Sequence, residues 1–269
     1  MAHYFWLEND DEINEWKSKT IGNLYVSTQY FFNNSNIILN QDSNFKNKLL
    51  SYLNSEIDIK PTVRTTQRTK NKIKYKKRYK GIDIDAFNSS LRSILIKDSD
   101  LLFELYNDDG VFYTSNSKKG FDFAKIDTIY NLINLWNLCF GRKSLYDGEN
   151  HWNKSLENND FIKSALESEN LNLELFNPGE DVKIEKNSLT ILGELQFGNW
   201  GLAYRDLFKL LQADANSGVD LFVYVAAHNN LLSYGSDNIV SYDETIKILH
   251  EFSNLIKVPI WVIGLDINI

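Results

Sequence analysis

The amino-acid sequence predicts an α/β fold, with a central mixed sheet flanked by helices and an additional N-terminal α+β region. From residue 160 onwards, helical and extended patterns alternate in the order α-β-β-α-β-α-β, which indicates an α/β core. Residues 220–227 (DLFVYVAA) are almost entirely apolar, as expected of a strand covered on both faces. With 269 residues and 43% apolar composition, the chain is long enough to bury a sizeable core.

The elements of the C-terminal part follow from their periodicity. Apolar residues at helical spacing predict helices over 122–138 and 160–168. Residues 182–185 and 189–197 favour two strands. Ser241 and Glu244 have the spacing of a capping box at a helix start. The remaining predicted elements are a helix over 202–212, a strand over 220–227, a helix over 242–256 and a last strand over 258–265.

The N-terminal part carries weaker patterns. Residues 22–32 (GNLYVSTQYFF) are rich in aromatic and β-branched side chains, which favours a strand. Residues 45–53 predict a short helix, while 91–96 (LRSILI) and 111–114 (VFYT) predict strands. The run Lys60–Lys80 holds no acidic residue and is either an exposed loop or a strand pair with a basic face.

The bulk properties exclude several classes. The net charge of -7 argues against a protein that coats DNA non-specifically, because such binding depends on phosphate neutralisation. No stretch is apolar enough to span a bilayer, and the N-terminus lacks the pattern of a signal peptide, so no membrane association is expected. Cys139 is the single cysteine, which precludes an intrachain disulfide and is typical of a cytoplasmic protein.

A candidate metal site lies in the strand predicted over 189–197. Glu194 and Gln196 are two residues apart, so they share one face of that strand. A carboxylate inside an apolar run is costly to bury unless it is paired or binds a metal. If the two predicted strands form a hairpin, Glu185 comes alongside Glu194. Oxygen ligands with room for water suit Mg²⁺, which lowers the pKa of a bound water for phosphodiester hydrolysis.

Plainer interpretations stay open at this point. An E-x-Q string in a strand is common, and Glu185 lies in the turn-like string EKNS. Glu167 and Glu169, on the helix before the core, are weaker metal-site candidates because such residues are usually solvated.

These residues resemble the E-x-Q variant of the PD-(D/E)xK nucleases, in particular the BglII-like and BstYI-like Type II restriction endonucleases. In that group an acidic residue lies nine positions before the Glu of a V-E-V-Q-F-x-N-Y type strand. Here Glu185 lies nine positions before Glu194, and Glu194 belongs to the string Gly193–Trp200 (GELQFGNW). Arg205–Phe208 (RDLF) is similar to the group's S-E-L-F segment, and Val258–Leu265 (VPIWVIGL) to its V-P-I-x-x-x-G-L strand.

The resemblance implies a PD-(D/E)xK restriction-endonuclease-like core with Glu185, Glu194 and Gln196 as catalytic residues. Glu185 and Glu194 would bind Mg²⁺. Gln196 stands where the wider superfamily has Lys; it cannot act as a base, and would orient the attacking water. Glu185 replaces the group's usual Asp, and Asp181 is its rival as a ligand.

Candidate DNA contacts fall into three sets. Gly198 and Asn199 follow the active-site strand, where similar enzymes read bases, although a turn role for Asn199 is equally open. The polar loop over 228–241 either reads base edges or is a solvated connection, and the basic run either contacts phosphates or is a solvated face. The residues singled out in these two segments are Asn229, Asn230, Ser236, Asp237 and Asn238, and Lys74, Lys76, Lys77 and Arg78.

The leading hypothesis is a Type II restriction endonuclease that cuts double-stranded DNA at a short palindrome as a homodimer, with a cognate DNA methyltransferase as its genetic partner. The alternatives are another nuclease with the same core, for repair or defence, and a DNA-binding protein without catalytic activity. Residues 119–269 are predicted to form the nuclease core. Residues 1–118 are predicted to form an N-terminal region for DNA recognition or dimerisation.

Overall fold

The structure, a computed structural model, describes residues 5–70, 73–115, 120–168, 176–235 and 238–269. The N-terminal elements are β1 (Trp6–Leu7), α1 (Asp10–Lys17), β2 (Ile21–Phe32), α2 (Ser35–Gln41), α3 (Ser43–Tyr52), β3 (Glu56–Asp58), β4 (Pro61–Lys70), β5 (Ile73–Ile82) and α4 (Ile84–Leu95). The central elements are β6 (Leu102–Asp108), β7 (Val111–Thr114), β8 (Phe121–Lys125), α5 (Thr128–Phe140), α6 (Gly148–Asn158), α7 (Asp160–Ser168) and β9 (Ile191–Gln196). The C-terminal elements are α8 (Trp200–Ser217), β10 (Leu221–Ala227), α9 (Asn229–Tyr234), α10 (Tyr242–Glu251) and β11 (Ile260–Asn268).

The chain divides into two compact units. The first comprises the residues up to Ser99 together with Leu195–Asp206 and Val223–Ile269. The second comprises Asp100–Glu194 and Leu207–Phe222. Elements β9, α8 and β10 each contribute residues to both units, since the boundaries fall within them.

The first unit contains the strand order β3-β2-β11-β10 and a separate sheet of order β1-β5-β4. Strand β2 pairs antiparallel with β11, from Phe32 opposite Ile260 to Asn23 opposite Asn268. The His228 amide donates to the Leu265 carbonyl at 2.9 Å, so the ends of β10 and β11 lie together and the two strands run parallel. The sheet is therefore mixed, as predicted, and Val223–Ala227 is buried on both faces.

The second unit contains the strand order β9-β8-β6-β7, with antiparallel pairing at each step. Helices α5, α6 and α7 enclose an apolar cluster that includes Leu132, Leu135, Cys139 and Ile162. Burial raises the pKa of the Cys139 thiol to about 11, which keeps it protonated and inert.

Most of the predicted elements are present with adjusted ends. The strands predicted over 22–32, 111–114, 189–197, 220–227 and 258–265 are confirmed as β2, β7, β9, β10 and β11. The helices predicted over 45–53, 160–168, 202–212 and 242–256 are confirmed as α3, α7, α8 and the shorter α10. Ser241 and Glu244 form the predicted capping box. The basic run forms the strand pair β4 and β5, one of its two predicted interpretations.

Two predicted elements are wrong, and a third is confirmed only in part. Residues 91–96 lie mostly in helix α4, because Phe87, Leu91 and Leu95 recur every four residues and are buried. The helix predicted over 122–138 begins only at Thr128, since Phe121–Lys125 is strand β8. Residues 182–185 are irregular: the Asn137 side chain bonds both the amide and the carbonyl of Val182, each at 2.8 Å, in place of a neighbouring strand.

No helix among the described residues combines the length and apolar character needed to cross a membrane.

Candidate active site

Glu194 is buried in β9 and forms an ion pair with a lysine of the following helix. Its side chain is 6% exposed, and every residue of Ile191–Gln196 is buried. The ammonium of Lys209 in α8 contacts the Glu194 Oε1 and donates to the Gly120 carbonyl at 2.8 Å. A buried carboxylate with a half-buried cationic partner is rare in a structural strand and typical of sites that handle charge.

A second carboxylate lies on the neighbouring strand. In the β8–β9 pair, Phe123 is opposite Gly193, so continuing the register by one residue sets Asp122 opposite Glu194. A Cβ at Gly193 would lie 2.1 Å from the Phe123 ring, which therefore covers Gly193 on one face of the sheet. Because side chains alternate, Asp122 and Glu194 are both directed to the other face. Cβ atoms of such opposed residues are about 4.5–5.5 Å apart.

Gln196 also lies in β9 and is held by two neighbours. Its Nε2 donates to Asp206 Oδ2 at 2.5 Å, and its Oε1 accepts from the Gly198 amide at 2.8 Å. Asp206 is fully buried and is bonded in addition by the Arg205 guanidinium at 3.2 Å. The Gln196 amide is thus fixed in one orientation by α8 and by the turn that follows β9.

The acidic residues before β9 that are candidate metal ligands lie on an irregular segment. Glu185 is exposed, and Asp181 is exposed with its Oδ1 accepting from the Arg142 amide at 2.9 Å. Glu167 is exposed on α7 and lies 4.0 Å from Lys163. Glu169 lies outside the described residues. The β8–β9 register, continued by one residue, adds Asp122 as a further candidate beside Glu185 and Asp181.

The candidate base-reading residues after β9 are brought near part of the 228–241 segment. The Asn238 carbonyl accepts from the Trp200 amide at 3.2 Å, and Asn199 forms an antiparallel bridge with Ile239. Gly198 accepts from the Val240 amide at 3.2 Å. Asn199 and Asn238 are exposed, and the Asn199 Oδ1 accepts from the Gly201 amide at 3.1 Å, as a turn residue does.

The sequence predicts one continuous loop over 228–241. In the structure this segment begins with helix α9 instead. Asn229 opens this helix with a φ of 41°, a value at which Asn is tolerated, and is exposed; Asn230 is half-buried. Ser236 and Asp237 lie outside the described residues.

The basic side chains of the β4–β5 strand pair differ in their exposure and in their contacts. Lys76 is exposed, whereas Lys77 has its Nζ 3.2 Å from the centre of the Trp6 ring. Arg78 donates to the Asp10 carboxylate and to the Glu8 carbonyl, each at 2.9 Å. Lys74 belongs to β5, but its side chain lies outside the described part.

The carboxylates of the site resemble the ligands that Mg²⁺ prefers. Among the described residues, no three His, Cys, Asp or Glu side chains are gathered into one group. Mg²⁺ is usually held by one or two carboxylates, together with waters and substrate phosphates. Glu194 fits that requirement, with Asp122 as a candidate second carboxylate.

Three residues at this site escaped the sequence interpretation. The sequence pattern predicts a helix that includes Asp122, so it does not indicate that Asp122 lies in the strand next to β9. Asp206 and Lys209 lie three residues apart on α8, so they share one side of that helix. Their polar character at helical spacing is the signal by which the sequence could have indicated them. Their roles depend on contacts that only the fold brings about.

Comparisons with known proteins find similarity to restriction endonucleases. A family model described as restriction endonuclease BglII/BglIII matches residues 142–265. No curated protein matches the chain. Among solved structures, the chain is similar to the "crystal structure of restriction endonuclease BGLII complexed with DNA 16-mer", with 11% identity over 91% of this chain and 76% of that chain and a TM-score of 0.39. Residues 142–265, a little under half of the chain, are therefore similar to the BglII/BglIII restriction endonucleases.

Proposed function

We propose that the protein is a Mg²⁺-dependent Type II restriction endonuclease that hydrolyses both strands of a short palindromic DNA site. The observation that carries this proposal is the buried Glu194 within the apolar strand β9, inside the region of the family match. An ionised carboxylate at such a position is stabilised by cations.

Each residue of the site has a proposed role. Glu194 and Glu185 provide carboxylate oxygens for Mg²⁺, with Asp181 as the rival of Glu185, and Asp122 adds a carboxylate from the facing strand. Gln196 orients the attacking water. Its own fixation by Asp206 and Gly198 supports this, because a positioned amide loses little entropy when it binds a water.

The bound cation supplies charge neutralisation at the scissile phosphate and a water of lowered pKa. The protein's own contribution is to hold the carboxylates in place before substrate arrives. A rigid strand does this with less reorganisation than a loop, which favours Glu194 as the residue on which activity depends most.

The proposed DNA contacts separate into reading and positioning residues. Backbone hydrogen bonds join the segment that carries Gly198 and Asn199 to the segment that carries Asn238, so the three residues form one candidate base-reading group. Asn229 and Asn230, and further along Ser236 and Asp237, are proposed for the same task. Phosphate contacts are proposed for Lys74, Lys76, Lys77 and Arg78, which would set the register on DNA without reading sequence.

A palindromic site implies a two-fold symmetric protein, so we propose a homodimer. A cognate methyltransferase is the proposed genetic partner, and the cytoplasm is the proposed place of action, because host DNA must be protected where the enzyme works. The role of residues 1–118 in recognition or dimerisation is part of the same proposal.

Digestion of a long DNA of known sequence tests this function directly. With Mg²⁺, a restriction enzyme gives discrete fragments, and sequencing their ends yields one palindromic site. With EDTA, no fragments form. Random degradation would favour a structure-specific nuclease, and binding without cleavage in the presence of Mg²⁺ or Mn²⁺ would favour a DNA-binding protein.

A further inference from the structure

Lys209 has surroundings that a solvated lysine does not have. Its side chain is 18% exposed, and its Nζ lies 4.5 Å from the centre of the Phe121 ring. The same ammonium contacts the Glu194 Oε1 and donates to the Gly120 carbonyl at 2.8 Å. A carboxylate, a carbonyl and an aromatic face thus surround one cation.

This arrangement places a positive charge where the sheet gathers negative charge. Continued by one residue, the β8–β9 register sets Asp122 opposite Glu194, and two neighbouring carboxylates repel each other unless a cation lies between or beside them. The lysine ammonium is a compact point charge on a flexible four-carbon stem, so it can leave such a position without moving the helix. Gln196, the nearest polar residue along β9, is uncharged and cannot replace it.

We propose that Lys209 is the internal counter-cation of the Glu194 site, holding the Glu194 carboxylate until a divalent cation takes its place. The inference rests on the proposed Mg²⁺-dependent function and makes Lys209 a positioning residue of that same site. Binding of the divalent cation is then an exchange of one cation for another. The lysine lowers the apparent affinity for the metal, because the metal must displace it.

Calcium binding without DNA tests this exchange. Wild type, Lys209→Met, Lys209→Arg and Glu194→Gln would be titrated with Ca²⁺ by calorimetry at constant ionic strength. Thermal unfolding of each would be followed in EDTA and in Ca²⁺. Loss of the competing ammonium is expected to tighten Ca²⁺ binding by about tenfold in Lys209→Met, since a single charge interaction at such a site corresponds to about one decade.

The unfolding temperatures of the variants test the same proposal independently of the Ca²⁺ titration. Lys209→Met is expected to unfold at a lower temperature in EDTA, because its Glu194 is left buried beside Asp122 without its lysine partner. Ca²⁺ is expected to raise its unfolding temperature more than that of wild type. Lys209→Arg keeps the charge and is expected to behave like wild type in both assays. Folding of Lys209→Met only in the presence of Ca²⁺ would support the proposal. If Lys209→Met does not fold at all, Lys209→Gln takes its place and is expected to bind Ca²⁺ about tenfold more tightly than wild type.

The outcomes separate the two proposals. If Glu194→Gln loses Ca²⁺ binding while Lys209→Met and Lys209→Gln bind it no more tightly than wild type, the counter-cation role is overturned and the metal site stands. If Glu194→Gln binds Ca²⁺ as wild type does, or if neither wild type nor Lys209→Met binds it, both the metal site and the role of Lys209 are overturned.

Discussion

The Phe123 ring lies over Gly193 across the β8–β9 strand pair, so that any side chain at position 193 would displace it. This contact fixes which way β9 presents its residues. Because side chains alternate along a strand, Gly193 and Phe123 occupy one face while Glu194 and Asp122 occupy the other. A packing contact of two apolar positions thus determines where the carboxylates of the candidate site are directed.

Gly193→Ala is expected to destabilise the protein by about 1–3 kcal/mol, since the new Cβ would lie 2.1 Å from the Phe123 ring in a buried strand. The free energy of unfolding from urea denaturation measures the effect. Phe123→Leu should relieve part of the clash, so the double variant is expected to be more stable than the sum of the two single changes predicts. The helical glycine Gly201 offers a control, because Gly201→Ala meets nothing closer than 3.3 Å. Additive effects at 193 and 123 would contradict the packing argument.

Asp122→Asn is expected to weaken Ca²⁺ binding by about tenfold, equal to about 1.4 kcal/mol, because one of two facing carboxylates is neutralised. Calorimetric titration without DNA measures it, and cleavage in Mg²⁺ should fall in parallel. Asp58→Asn is the matched control, since Asp58 is an exposed strand aspartate of β3. Unchanged Ca²⁺ affinity in Asp122→Asn would remove this residue from the site.

The same titration decides between the two acidic residues before β9. Glu185→Gln is expected to weaken Ca²⁺ binding, whereas Asp181→Asn is expected to leave it unchanged, because the Asp181 carboxylate already accepts from the Arg142 amide. The reverse ranking would assign the ligand role to Asp181.

Glu194→Gln is expected to reduce cleavage by about a hundredfold or more, because the site loses the carboxylate on which the cation depends. Binding of specific DNA in Ca²⁺, measured by fluorescence anisotropy, should stay within a few-fold of wild type, since the residue faces the metal and not the bases. Circular dichroism would establish that the variant is folded. Cleavage at the wild-type rate would end the proposal that Glu194 is catalytic.

The sequence sufficed to predict those parts of the fold that depend on neighbouring residues. The capping box at Ser241 and Glu244 is a local hydrogen-bond pattern, and the apolar run of β10 reflects burial on both faces. Residues 91–96 misled because LRSILI also suits a strand. Their true state depends on Phe87 and on Asp83, whose side chain caps α4 by accepting from the Ala86 amide at 3.1 Å.

The site was only partly predictable for a related reason. Glu194 and Gln196 lie two residues apart, so strand alternation alone places them on one face. Lys209 contacts Glu194 from helix α8, and Asp122 becomes a candidate neighbour only when the β8–β9 register is continued by one residue. Sequence separation carries no information about such contacts, and for Asp122 the error was compounded by the assignment of β8 to a helix.

Tyr25→Phe is expected to change the alkaline stability of the protein. The Tyr25 hydroxyl donates to the fully buried Asp266, and this hydrogen bond, aided by burial, raises the pKa of Tyr25 from its ordinary value of 10.0 to about 12. A raised pKa means that the unfolded chain loses its proton first, so the stabilising contribution is complete below pH 10 and is lost as the pH rises from 10 to 12.

Unfolding by urea at several pH values checks this expectation. Wild type should lose stability between pH 10 and 12 by more than Tyr25→Phe does, while at pH 7 the variant should be less stable by about 1 kcal/mol for the lost hydrogen bond. Tyr146→Phe removes one exposed hydroxyl and serves as the control. Parallel profiles of wild type and Tyr25→Phe would show that the Asp266 bond does not contribute.

Lys76→Gln is expected to weaken DNA binding for all sequences alike. Lys76 is exposed on β5, and each phosphate contact that is lost lowers the slope of log affinity against log salt by about one. Arg78→Gln should have a smaller effect, because its guanidinium already donates to Asp10 and to the Glu8 carbonyl. Anisotropy in Ca²⁺ at several salt concentrations measures both slopes, and Lys97→Gln is a control at an exposed lysine after α4. The cleavage site should be unchanged in Lys76→Gln, since phosphate contacts position the protein without reading bases. A changed cleavage site with an unchanged salt slope would assign Lys76 to base reading instead.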